Sequence, residues 1–230
     1  MSFFKTHYNG KIALVDLAAG TVEVPPLERS LVEDRLGGAA LNRALFDQFS
    51  GDDPIVFGTG PLTGSFAPAS CLLVATFRSP LSGRITNVPL TIRTGPQVKF
   101  SGFDFIVLRN KAAAATVLNI GRGKIVPSPG DGFKNLSLSE TLVLARREFG
   151  RPESWIWPGS VPSSSAAASV CRGGSFDKTG LASALAEKQV RGIFIQGNDG
   201  LPFGADELYR SNLLIENLKK GLKKKDVGFA

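Results

Sequence analysis

Histidine and cysteine are scarce in this chain of 230 residues, which contains one His and two Cys. The histidine, His7, lies in an N-terminal stretch that we expect to be loose, which argues against a serine- or cysteine-type catalytic triad. The cysteines, Cys71 and Cys171, stand in apolar surroundings and form no Cys-x-x-Cys pair. The sequence therefore predicts neither a disulfide framework nor an iron–sulfur site built by this chain alone.

Long apolar runs are also absent. No run reaches the roughly 18 residues of a membrane span, and the first residues lack the apolar core of a signal peptide, so we expect a cytoplasmic protein without a membrane partner. The net charge is +7, but five lysines at residues 219–225 stand against the single Asp226. We interpret this basic tail as a solvated chain end. No aromatic residues interleave with its lysines, which argues against nucleic-acid binding.

Apolar periodicity predicts the secondary structure of the first half. Ile12 to Val24 alternates between apolar and polar residues on both sides of a turn at residues 18–20, which is typical of a β-hairpin. Ser30 and Glu33 have the spacing of a capping box, so we expect a helix that begins there and bends at residues 37–38. Short buried strands are predicted at residues 55–57, 72–77 and 103–108.

The same order of elements recurs about 100 residues later. A second hairpin is predicted at residues 116–127, Ser137 and Glu140 repeat the capping box, and Cys171 follows Cys71 by the same interval. We therefore predict an α+β domain at residues 8–200, in which two β-rich repeats, about 10–110 and 113–200, pack with pseudo-twofold symmetry. Coincidence of common hairpin and helix patterns is the alternative. Residues 201–230 are predicted to form a C-terminal helix that ends in the basic tail.

A glycine-rich stretch follows the predicted strand at residues 55–57. Gly58, Gly60 and Gly64 resemble a dinucleotide-binding fingerprint with one residue too many, and Pro61 favours a turn over the start of a helix. We interpret the stretch as a tight turn that needs glycine. Residues 173–179 hint at a phosphate loop, but Asp177 replaces the glycine before the lysine and would repel phosphate.

Three strings connect this turn with later parts of the chain: GPLTG at residues 60–64, SPLSG at 79–83 and KFSGFD at 99–104. They resemble the strings GPLTG, SPLTG and KFAGYD of the N-terminal domain of tungsten-containing aldehyde ferredoxin oxidoreductases. The resemblance covers roughly residues 8–200 and implies the same fold of two related repeats. It also implies a bis-pterin tungsten cofactor and the oxidation of aldehydes to carboxylic acids, with ferredoxin as the electron acceptor.

Such an anionic cofactor needs arginines, amide side chains and glycine backbone that approaches closely. Where the family has the string APTGGRYN, its arginine and asparagine correspond to Leu72 and Val74 here. The family's GGRG string is replaced by GGAA at residues 37–40, and its ANSGG string by VPLTI at residues 88–92. These losses argue against tight binding of tungstopterin by this chain alone.

The resemblance leaves four candidate cofactor-binding residues: Arg84, Arg93, Gly95 and Lys178. Lys178 is a partial substitute within the string that the family reads as AAGRGGVG. Neither a catalytic residue nor a metal ligand is assigned. We expect the apolar replacements to point into the former cofactor groove and to close it, whereas converging arginines would keep it open and basic; these replacements are Leu72, Val74, Leu90 and Ile92.

Two functions follow from these observations. The first is a stand-alone subunit or accessory of a tungsten- or molybdenum-pterin redox complex. Because the family's iron–sulfur cysteines lie in C-terminal domains without a counterpart here, a partner subunit would carry the cluster, and this chain would be inactive alone. The second is a non-catalytic binding or scaffold protein that kept the fold and lost the cofactor.

Overall fold

The computed structural model describes residues 7–67, 70–90, 93–159, 179–197, 212–213, 215–217 and 220. The strands in these residues are β1 (Ile12–Asp16), β2 (Thr21–Glu23), β3 (Ile55–Gly58), β4 (Leu73–Arg78), β5 (Ile85–Leu90), β6 (Phe105–Arg109), β7 (Thr116–Gly121), β8 (Lys124–Pro129), β9 (Ser154–Ile156) and β10 (Val190–Gln196). The helices are α1 (Arg29–Arg35), α2 (Gly38–Gln48), α3 (Thr94–Phe100), α4 (Leu138–Phe149) and α5 (Leu181–Glu187). The fold is α+β, as predicted.

The strands of the described residues form two sheets, with the orders β2-β1-β6-β3-β4-β5 and β8-β7-β10-β9. In the first sheet, β1 pairs antiparallel with β2 and parallel with β6, and β6 pairs antiparallel with β3. In the second sheet, β7, β8, β10 and β9 repeat these pairings in the same order. The shared strand order supports the predicted duplication, whereas the pseudo-twofold axis and the repeat boundaries stay predictions.

Apolar side chains form three clusters that alternate with the sheets. The central cluster lies between the two sheets and includes residues of α3 and α5, such as Val98 and Leu185. A second cluster packs α2 on the outer face of the first sheet and includes Phe46, Val56 and Phe105. A third packs α4 on the outer face of the second sheet. Each sheet is thus covered on both faces, which explains the continuous apolar runs of its central strands.

The two predicted capping boxes have different outcomes. At the start of α4, the Ser137 backbone N–H donates to the Glu140 carboxylate at 2.8 Å, and the Ser137 hydroxyl oxygen accepts from the Glu140 backbone N–H, so this box is confirmed. The box predicted for α1 was wrong. With Ser30 as the N-cap the helix would begin at Leu31, but it begins two residues earlier, at Arg29. The Arg29 guanidinium binds the Glu33 carboxylate, which the box requires, at 2.6 Å. The helix end at Arg35 and restart at Gly38 agree with the predicted bend.

Lys188 joins the two halves of the fold. Its ammonium group is buried after α5, donates to the Asn110 carbonyl at 3.0 Å and lies 3.5 Å from the Asp53 carboxylate. The Lys188 carbonyl in turn accepts from the Ala112 backbone N–H. Burial lowers the pKa of Lys188 below its ordinary value, and the charge of Asp53 opposes this shift. The second half is therefore attached to the first through a lysine whose charge is costly to bury.

We expect this cost to appear as a pH dependence of stability. The unfolded chain binds the Lys188 proton more tightly than the folded chain does, so protonation favours unfolding. The free energy of unfolding should therefore rise with pH from the lowered pKa up to the ordinary lysine value of about 10.4. Urea unfolding of the wild type and of Lys188→Met between pH 7.5 and 10.5 isolates this contribution as a difference in slope. Parallel pH profiles of the two proteins would contradict it.

Among the described residues, no helix combines the length and the apolar character that a membrane crossing requires.

Candidate functional site

A cleft of about 310 Å³ lies beside the glycine-rich turn that follows β3. It is bounded by the start of α2, the turn itself and the first residues of β4. The described lining consists of glycines, apolar residues and two hydroxyl residues: Gly38, Gly58, Gly60, Pro61, Leu62, Thr63, Ser70, Leu72 and Val74. No charged side chain belongs to this described lining.

The backbone N–H groups of the turn are used within the fold. Thr59 N–H donates to the Asp104 carbonyl at 3.1 Å, Gly60 N–H to the Thr63 hydroxyl oxygen at 3.0 Å, and Gly64 N–H to the Ser70 carbonyl at 2.8 Å. A phosphate-binding loop instead points free N–H groups at its ligand. The geometry therefore agrees with the interpretation of this stretch as a structural turn.

Gly64 has a backbone conformation that requires glycine, whereas Gly60 does not. Gly64 has φ of +81°, and a Cβ there would lie 3.0 Å from the Phe100 ring. Gly60 lacks a positive φ, and a Cβ there would meet only the Thr63 hydroxyl at 3.7 Å. The interpretation that this turn needs glycine therefore holds for Gly64 but not for Gly60.

Gly64→Ala should lower the free energy of unfolding by about 1 kcal/mol or more, because alanine is strained at positive φ. Gly60→Ala, four residues earlier in the same turn, serves as the matched control and should change stability by less than about 0.5 kcal/mol. Chemical denaturation of both variants measures the difference. Equal losses would show that φ at Gly64 does not set its residue preference.

Lys99, the first residue of the KFSGFD string, connects the turn to the N-terminal segment by hydrogen bonds. Its side chain is buried in α3, and its ammonium group donates to the carbonyls of Pro61, at 3.2 Å, and of His7. The same group lies 4.9 Å from the centre of the Tyr8 ring, a cation–π distance. Lys99 thus acts on the cleft indirectly, by holding the carbonyl of Pro61 in its wall.

Asp104, at the end of the same string, accepts hydrogen bonds from three backbone N–H groups. One carboxylate oxygen accepts from Asn9 at 3.1 Å, and the other accepts from Gly10 at 2.7 Å and from Lys11 at 3.2 Å. Burial raises the pKa of Asp104, and the charge of Lys99 and these N–H groups oppose the shift. The structure therefore gives KFSGFD a mechanical role, in which two buried charges attach β1, the turn and α3 to one another.

The candidate residues from the sequence do not converge on the cleft. Arg84 is exposed in the turn before β5, and Arg93 is exposed before α3, where its guanidinium lies 3.8 Å from the Glu153 carboxylate. Gly95 is buried in α3, where a Cβ would lie 2.5 Å from the Leu72 carbonyl oxygen. Its role in the structure is to let α3 approach that backbone. Lys178 lies outside the described residues.

The expectation that apolar side chains close the groove was wrong in part. Leu72 and Val74 do line the cleft, yet its volume remains at about 310 Å³. Leu90 is 1% exposed and belongs to the central cluster, because the alternation of β5 turns Val88 and Leu90 inward. Ile92 lies outside the described residues. The cleft is therefore open but apolar, a combination that the sequence did not predict.

Residues 12–197 match the family described as aldehyde ferredoxin oxidoreductase, N-terminal domain. The chain belongs to this family. It is 25% identical to the tungsten-containing aldehyde ferredoxin oxidoreductase of Pyrococcus furiosus over 205 residues, which make up 84% of this chain and 34% of that protein. It is also 29% identical over 124 residues to the aliphatic sulfonate oxidoreductase, WOR-like subunit, of the same organism, covering 49% of this chain and 20% of that protein.

A solved structure shows the same fold. The active-site complex BamBC of benzoyl coenzyme A reductase with 1,5-dienoyl-CoA contains a chain that superposes with a TM-score of 0.85 at 18% identity. The match covers 98% of this family member and 36% of that chain. This member thus spans about a third of the length of the Pyrococcus furiosus enzyme and of the structural neighbour.

The described residues do not fit the metal–pterin cofactor that the family name implies. An anionic group of that size needs charged or amide donors, whereas the described lining is uncharged and the N–H groups of the turn named above are already bonded. Within the same residues, no cluster of His, Cys, Asp and Glu could hold a metal ion.

Proposed function

We propose that this chain is a subunit or accessory of a tungsten- or molybdenum-pterin redox complex that oxidises aldehydes with ferredoxin as the acceptor. Membership of the family over residues 12–197 and the oxidoreductase names of its relatives support the proposal. The observation that carries it is the family match over residues 12–197, and the uncharged described lining of the cleft is the reason to assign most cofactor contacts to a partner. A partner subunit would therefore carry the iron–sulfur cluster and most contacts with the cofactor.

In such a complex, this chain would contribute the fold and a few cationic contacts. Arg84, Arg93 and Lys178 are its candidates for the anionic groups of a cofactor, and Gly95 would keep α3 against the cleft wall. We also propose that residues 8–200 act as one domain of two repeats, with residues 201–230 as an appended helix and tail. A cytoplasmic location is in line with the absence of a cysteine framework from the sequence.

Metal analysis tests the proposal. The chain should be expressed with tungstate or molybdate, alone and together with a cysteine-containing partner, and each preparation should be assayed for metal, pterin and iron. We expect metal and pterin in the assembled complex and almost none in the isolated chain. Stoichiometric metal in the isolated chain would overturn the assignment of the cofactor contacts to a partner.

A non-catalytic binding or scaffold role is the second candidate. It is favoured by Leu72 and Val74, which stand where the family's arginine and asparagine are implied and which line the cleft. This role predicts a well-folded assembly that contains neither tungsten nor molybdenum. The same metal analysis therefore separates the two functions, provided that circular dichroism shows both preparations to be folded.

A further inference from the structure

We infer that the cleft beside Gly60 is itself a binding site for a small, uncharged, largely apolar molecule with one or two rings or a short aliphatic chain. The inference concerns the ligand chemistry of the isolated chain, and it goes beyond the proposed function because it requires no cofactor-bearing partner. Three features of the cleft support it: apolar walls, hydroxyl groups that are already paired, and a rigid floor.

The walls are apolar and partly exposed to water. Leu62, on the turn, is 49% exposed, and Leu72, before β4, is 44% exposed, while Val74, in β4, is half-buried. Burial of apolar surface yields about 25 cal/mol for each Å² removed from water. A ligand that covers these side chains gains that free energy, whereas a charged ligand would have to shed its hydration shell against them.

The two side-chain hydroxyl groups of the described lining are already paired. The Thr63 hydroxyl accepts from Gly60 N–H at 3.0 Å and donates its proton to the Leu72 carbonyl at 3.2 Å. The Ser70 hydroxyl donates to the Ser65 carbonyl at 2.8 Å. A ligand rich in hydrogen-bonding groups would lose its bonds to water without replacement here, at a cost of about 1–3 kcal/mol for each group. The cleft therefore selects for molecules that need few hydrogen bonds.

The floor is fixed by a buried amide. Asn42 is fully buried, and its Nδ2 donates to the Val74 carbonyl at 2.8 Å and to the Thr76 hydroxyl at 3.1 Å, so α2 is held against β4. A Cβ at Gly58 would lie 1.8 Å from the Asn42 Oδ1, so glycine is needed at this wall. The cleft is thus preformed, and its 310 Å³ falls at the lower end of the range of small-molecule sites.

The test compares two ligands of equal size and different charge. ¹⁵N-labelled full-length chain is titrated with 2-acetylnaphthalene, which is neutral, and with 2-naphthoate, which is anionic. We expect saturable amide shifts at Gly60, Thr63 and Val74 with the neutral compound, and affinity for the anion lower by at least about tenfold, or 1.4 kcal/mol. Absence of saturable shifts with the neutral compound, or equal affinity for the two, would overturn the inference.

Two variants locate the site. Leu72→Arg places a cation in the wall at a half-exposed position, and it should weaken the neutral compound and strengthen naphthoate. Val126→Arg, at a 49% exposed position on β8, is the matched control and should leave both affinities unchanged. Neutral binding that survives Leu72→Arg, or that Val126→Arg abolishes, would place the site elsewhere. Because no metal or partner is present, this result is independent of the metal analysis that tests the proposed function.

Discussion

Asp104→Asn should lower the free energy of unfolding by about 3–5 kcal/mol, a large part of the 5–15 kcal/mol typical of a whole domain. Both carboxylate oxygens accept backbone N–H groups, one from Asn9 and the other from Gly10 and Lys11. Either protonation state of the carboxyl keeps two oxygens, but an amide keeps one and turns an NH₂ group against at least one N–H donor. The substitution also removes the negative charge near the buried ammonium of Lys99.

Asp47→Asn provides the control for this prediction. Asp47 is a half-exposed aspartate of α2 that pairs with Arg43 at 2.9 Å, four residues away, and such pairs contribute at most about 0.5 kcal/mol. Guanidinium chloride unfolding of both variants gives the two losses on one scale. If Asp104→Asn lost less than about 1 kcal/mol, the carboxylate would not be what attaches the N-terminal segment to the fold.

Lys99 and Asp104 also show what sequence reasoning can and cannot reach. Both residues belong to the KFSGFD string on which the family resemblance rests. Their partners, however, are carbonyl and N–H groups of residues 7–11 and of Pro61, which lie tens of residues away. Backbone groups carry no side-chain signature, so no pattern in the sequence could have named these partners.

The sequence predicted neither β5 nor α3, because both contain a proline and α3 also contains a glycine. Pro89 interrupts the apolar pattern of β5, and a proline normally argues against a strand. The structure tolerates it because β5 is the last strand of the first sheet, where one side needs no ladder partner. In α3, Gly95 and Pro96 follow Thr94 directly, a combination that reads as a turn but is compatible with the first turn of a helix. The proline of β5 is tolerated because the strand lies at the edge of the sheet, and the glycine and proline of α3 because they lie in the first turn of the helix.

The hairpins, the central strands and α4 could be predicted because their apolar periodicity is local. The open apolar cleft could not, since it depends on which face of each strand meets the core. Leu72 precedes β4 and remains half-exposed, whereas Leu90, at the end of the neighbouring strand, is buried between the sheets. Both were assigned to one groove because they are apolar replacements in the resemblance strings, and composition alone does not distinguish their surroundings.

Gly95→Ala should lower the free energy of unfolding by about 3 kcal/mol, the upper part of the usual range for overpacking. Within an exposed helix this exchange would stabilise by up to about 1 kcal/mol, so the expected sign is opposite to helix propensity. A Cβ would lie 2.5 Å from the oxygen and 2.7 Å from the carbon of the Leu72 carbonyl, and 2.9 Å from the Cys71 oxygen. These are backbone atoms and cannot rotate away, so α3 or the chain before β4 must move.

Gly51→Ala is the control for Gly95→Ala, because no atom lies within 4 Å of a Cβ there and its φ is not positive. It should change stability by no more than about 0.5 kcal/mol. In ¹H–¹⁵N spectra, Gly95→Ala should shift the amides of Leu72 and Val74, since the displaced backbone forms a wall of the cleft. A neutral or stabilising Gly95→Ala with unshifted wall amides would mean that α3 does not hold that wall in place. A destabilised variant with shifted amides would connect the packing of this helix to the shape of the binding cleft.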